Sequence, residues 1–104
     1  MTPPTLPSQL AALEVFSRDL PADLRRLMRE RYIMGYEQYG DAWVNRDNLA
    51  EVKPEIADAA VYLFQALLAG EVGTLNMGRL RASLSEGWMH LAALCKAAQG
   101  RPLR

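Results

Sequence analysis

Between Asn48 and Gly70 the chain reads Asn-Leu-Ala-Glu-Val-Lys-Pro-Glu-Ile-Ala-Asp-Ala-Ala-Val-Tyr-Leu-Phe-Gln-Ala-Leu-Leu-Ala-Gly. Projected on a helix at about 100° per residue, Glu51, Asp58, Tyr62 and Gln65 fall within about 80° of Glu55 on one side. Ile56, Ala60, Leu63, Phe64, Leu67 and Leu68 cover much of the rest. So wide an apolar arc predicts a helix that is buried or nearly so. Carboxylates beside a core repel one another and lose hydration unless a cation or basic partner compensates. An isolated acidic triplet is ordinarily a solvated stripe, because charged residues are mostly at the surface. Two features point further here: the wide apolar arc, and Ala59, Ala66 and Ala69, which flank the acids and leave room for a ligand.

The remainder of the chain fits a helical partner set. Met1 to Pro7 holds three prolines and reads as an extended tail. Ser8 is a fair N-cap for a short first helix to about Arg18. Pro21 stands where a first helical position would be, and Leu24, Leu27, Met28, Tyr32, Tyr36 and Tyr39 then recur at helical spacing. Gly35 interrupts that helix, which suggests close approach of a neighbour or ligand, and Gly40 ends it. Asp41 to Asp47 reads as a polar loop carrying Trp43. Asp47 or Asn48 caps the third helix, and Pro54 is tolerated if the helix proper begins near Lys53. After a turn at Gly70 to Gly73, a fourth helix is expected from about Leu75 to Ala98, striped by Leu80, Leu84, Trp88, Leu91 and Cys95 and weakened at Gly78 and Gly87. No segment alternates as a strand does. The expected class is therefore all-α: a small bundle of about four helices, in one domain over residues 8–99, with 1–7 and 100–104 as tails. A core of this size often gains stability by pairing with a second copy.

Composition closes off several classes. With 104 residues, 12 basic and 12 acidic, the formal net charge is zero, which makes nucleic-acid binding unlikely. The single cysteine, Cys95, excludes an intrachain disulfide and fits a reducing cytosol. The N-terminus lacks the basic and apolar regions of a signal peptide, and the longest uncharged run, Ala59 to Gly70, is too short to span a bilayer. A cytoplasmic, membrane-free protein is expected.

Other chemistry is thin. His90, the only histidine, reads as a core-edge residue and Cys95 as a small core residue. Ser83 and Ser85 lack a nucleophile's context, and no glycine-rich phosphate loop is present. Trp43 reads either as a hydrophobic lid or as a stacking surface for a base, and Arg46 either meets a phosphate or faces water. Glu30 and Glu37, taken alone, read as solvated. The arginines at 25, 26, 29 and 31 go to solvation and i,i+4 pairing. Carboxylates without histidine or cysteine suit hard cations, magnesium or manganese, and magnesium suits phosphate substrates.

Glu55-Ile-Ala-Asp58 followed by Ala-Ala-Val-Tyr-Leu resembles the Glu-x-x-Asp half of the all-α nucleoside triphosphate pyrophosphatases, the MazG-like superfamily. Upstream, Arg31-x-x-x-Gly35-x-x-x-Tyr39-Gly40-Asp41-Ala-Trp43 resembles the preceding segment of short phage and prophage members, so the resemblance covers about Arg29 to Leu68. The family's Glu-Glu-x-x-Glu on the preceding helix is missing; Glu30 and Glu37 are the only acids there. The resemblance implies a MazG-like bundle, completed as a homodimer or larger, in the host cytoplasm if phage-encoded. It implies magnesium-dependent hydrolysis of a nucleoside triphosphate to the monophosphate and pyrophosphate. Glu55 and Asp58 would carry catalysis and hold the metal, helped by Glu51, Glu30 and Glu37. Lys53, Arg46, Trp43, Tyr36, Tyr39 and Tyr62 are candidates for contacts with the nucleotide. A MazG-like module that binds a nucleotide or a protein without hydrolysis is the alternative.

Overall fold

A computed structural model describes residues 2–99 and is all-helical over them, with no strand. Four helices follow in order: α1 (Leu6–Phe16), α2 (Ala22–Tyr39), α3 (Val52–Leu68) and α4 (Gly78–Gln99), with a short 3-10 helix, Ala42–Asn45, between α2 and α3. The helix count and class agree with the apolar periodicity. The tail expected at 100–104 lies outside the described residues.

The chain divides into two compact units, one running through Arg46 and the other from Asp47. In the first, α1 begins two residues before the expected Ser8 cap. Thr5 caps it, its Oγ1 accepting from the Ser8 amide at 3.4 Å, and Pro7 sits in the first turn. Proline is pre-organised for that position, so the supposed tail joins the helix. Pro21, with extended backbone, is the N-cap of α2 rather than its first residue. α2 runs through Gly35 without interruption, and a Cβ there would meet nothing within 4 Å, so no neighbour among the described residues requires a glycine. At Gly40 φ is +60°, and its amide donates to the Tyr36 carbonyl at 2.7 Å. Glycine is needed there because a Cβ makes that conformation costly. The expected polar loop folds over Trp43 as the 3-10 turn, with Trp43 half-buried.

In the second unit, Asp47 Oδ1 accepts from the Ala50 amide at 3.1 Å and caps the turn that leads into α3. α3 starts at Val52, which leaves Pro54 in the first turn, where its missing N–H costs nothing. α4 starts at Gly78, three residues later than expected, and passes Gly87 unbroken. A glycine at the start of a helix is cheap, so Gly78 marks its beginning and not a weak point.

The main correction concerns burial. α3 contains no buried residue. It packs against α4 along one stripe, with Ile56, Leu63 and Leu67 half-covered, while Val61, Phe64 and Leu68 stay exposed. Among the described residues the only buried apolar side chain is Leu91, on α4; the first unit buries Gln9 and Ser17. Two helices can cover only the stripes that face each other, and the wide apolar arc of α3 needs a further layer. None of the helices among the described residues is long and apolar enough to cross a membrane.

Candidate functional site

The acidic stripe lies at the start of α3. Glu51 is its N-cap residue with helical backbone angles, so the register continues from Glu51 through Glu55 to Asp58. Glu55 stands in the first turn, where the partial positive charge of the helix N-terminus favours a carboxylate. All three acids are exposed, as are Lys53 between Glu51 and Glu55 and Tyr62 further along the same helix. The stripe therefore keeps its hydration, contrary to the expectation of acids pressed against a core. Among the described residues, neither unit gathers three or more His, Cys, Asp or Glu side chains where they could hold one metal ion.

The remaining candidates lie on the first unit. Glu30 and Glu37 are exposed on α2. Tyr36 is half-buried, Tyr39 is exposed, and Arg46 is exposed at the end of the 3-10 turn. His90 is exposed on α4 and not at a core edge, whereas Cys95 is a free, half-buried thiol, partway to the expected core position.

Beside the stripe, the second unit carries an open apolar groove of about 590 Å³ between α3 and α4. Ile56, Ala60, Phe64, Met77, Leu84 and Trp88 line it. Its walls come from the other side of the helix that presents the acids. Phe64 at 56% and Trp88 at 46% exposure are large apolar surfaces left facing outward.

A polar node in the first unit escaped the sequence reading. Gln9 is buried, with 6% exposure. Its Nε2 donates to the Pro4 carbonyl at 2.7 Å and to Asp41 Oδ1 at 2.9 Å, and its Oε1 accepts from the Tyr32 hydroxyl. One amide thus ties the segment before α1, the middle of α2 and the residue after Gly40. Burial, and secondarily the Asp41 carboxylate, push the Tyr32 hydroxyl above its usual pKa of 10.0. Tyr32 and Asp41 lie 23 and 32 residues from Gln9, so no local pattern announces them.

No family model, no curated protein and no solved structure matches the chain.

Proposed function

We propose that the chain is a protomer of a MazG-like pyrophosphohydrolase, which splits a nucleoside triphosphate into the monophosphate and pyrophosphate through Glu55 and Asp58 with magnesium. One observation carries this reading: both carboxylates stand exposed, three residues apart, at the start of one unbroken helix. Side chains at i and i+3 share a face and can reach one ion. Magnesium gives up its waters reluctantly and is commonly held by one or two carboxylates together with substrate phosphates. Two hydrated carboxylates with nothing packed over them fit that pattern. Manganese, with the same preference for oxygen, would serve in its place. Bound there, the metal would offset charge on the triphosphate and lower the pKa of a water that attacks the α-phosphorus.

The chain's own groups would do the positioning. Lys53 is exposed two residues before Glu55 but falls about 160° away around the helix, so it does not face the carboxylates. Tyr62, 69% exposed and four residues after Asp58, offers a flat apolar surface to a base. The apolar groove on the other side of α3 supports assembly as a homodimer, since a second copy would cover it.

A non-catalytic module is the second reading. It is favoured by the absence, among the described residues of either unit, of any group of three or more carboxylate, histidine or cysteine side chains placed to hold one ion. A panel of nucleoside triphosphates with magnesium, scored for pyrophosphate release, decides between the two. The enzyme releases pyrophosphate and stops when the metal is chelated. Silence across the whole panel leaves the binding module.

A further inference from the structure

The first unit carries a second concave surface, unrelated to the acidic stripe. It lies between α1 and α2 and measures about 370 Å³. Arg25, Arg26 and Arg29 line it together with Ala22, facing Glu14 and Ser17 of the α1 side. The three arginines and Ala22 fall within an arc of about 100° on α2, by helical spacing. Sequence alone assigns these arginines to solvation and i,i+4 pairing; Arg26 and Arg29 are exposed, but no such pair forms among the described residues. Among the described residues no ion pair or side-chain hydrogen bond engages the guanidinium groups of Arg25, Arg26 or Arg29. Arg25 and Arg29 are themselves an i,i+4 pair of like charge, which is unfavourable on a helix. Glu30, the i+4 acid of Arg26, stays exposed and does not pair with it.

The groove thus concentrates three uncompensated cations against one carboxylate, Glu14. Ser17 is buried, with 3% exposure, and its hydroxyl donates to the Glu14 carbonyl only at 3.5 Å, a long bond that a better acceptor would outcompete. The N-terminus of α2 adds little, because the Leu24 amide already donates to Asp23 Oδ1 at 2.9 Å.

We propose that the α1–α2 groove is a binding site for a phosphate-bearing small molecule, with Arg25, Arg26 and Arg29 as its ligands. Guanidinium forks match phosphate oxygens two at a time, and a multiply charged phosphate relieves the mutual repulsion of the three cations. A concave wall lowers the local dielectric and strengthens each contact relative to open water. The site does not depend on the proposed hydrolysis, which rests on α3.

Inorganic pyrophosphate, with chelator present so that no divalent metal takes part, is the probe. Melting of the full chain is followed against pyrophosphate concentration, with sodium chloride at matched ionic strength as reference. The wild-type melting temperature rises with pyrophosphate and not with chloride. Arg29→Gln weakens the response about tenfold or more, as loss of one charge-assisted contact requires. Arg31→Gln, which removes an equal charge on the far side of the same helix, leaves it within about twofold, because exposed charges act weakly at a distance. Glu14→Gln strengthens it. An unresponsive wild type, an equal response to chloride, or equal losses in Arg29→Gln and Arg31→Gln would each overturn the proposal.

Discussion

Gln9 shows how much of a small fold can hang on one polar side chain. A buried amide is costly unless its groups find partners, and here both hydrogens and the carbonyl oxygen are used. Tyr32→Phe removes one of these bonds and leaves the Gln9 oxygen short of a donor. At neutral pH the loss should be about 1 kcal/mol, measurable by chemical denaturation. The pH dependence has a definite sign. The folded pKa of Tyr32 is raised, so its stabilisation is fully present below pH 10.0 and is lost as pH climbs through the higher folded value. Wild-type stability should fall in that alkaline range more steeply than that of Tyr32→Phe; parallel curves would show that Tyr32 ionisation is not linked to folding. Asp58 poses the opposite question, since it is exposed and makes no contact that its replacement would break. Asp58→Asn keeps the shape and removes one charge. It should leave the metal-free melting temperature unchanged or slightly raised, and abolish both the magnesium-dependent rise in melting and any pyrophosphate release. A magnesium response that persists in the variant would remove Asp58 from the proposed metal site.

The helices themselves were legible because apolar spacing at 3.6 residues is a local signal. Thr5 displaced Ser8 as the cap of α1 although serine is the better cap by type, because Pro7 between them is pre-organised for the first turn and sets the register. The burial of α3 was not legible. Periodicity identifies a face that wants covering, but it does not say what covers it. Gly35 within α2 and Gly40 at its C-cap separate helix propensity from backbone requirement. Gly35 has ordinary helical geometry and open space for a methyl group, so Gly35→Ala should stabilise by about 0.5–1 kcal/mol. Gly40 has positive φ, so Gly40→Ala should destabilise by about 1–3 kcal/mol although its Cβ would meet nothing. Thermal melts of the two variants test both signs at once. A loss of stability in Gly35→Ala would mean that something other than the described residues approaches that glycine.

At the level of the whole molecule, the second unit leaves more apolar surface than a solitary helix pair can hide. Phe64, Leu68, Leu80 and Trp88 are 56%, 71%, 54% and 46% exposed. Complete burial of such a side chain is worth about 1.5–3 kcal/mol, so covering several of them in both copies is enough to offset the cost of association. A homodimer needs no other molecule, and two-fold pairing uses the same face twice. The acidic stripe of α3 is on the other side of that helix and would stay open to solvent. Light scattering at tens of micromolar, an order of magnitude suited to a specific interface, should report twice the chain mass. Phe64→Ser should shift the protein toward monomer, because it removes a ring from the middle of the groove wall and puts a hydroxyl in its place. The change touches no hydrogen bond, so helix content by circular dichroism should hold at concentrations where wild type and variant differ in mass. A wild type that stays monomeric throughout this range would rule out pairing through α3 and α4, and the apolar groove would then need a different occupant.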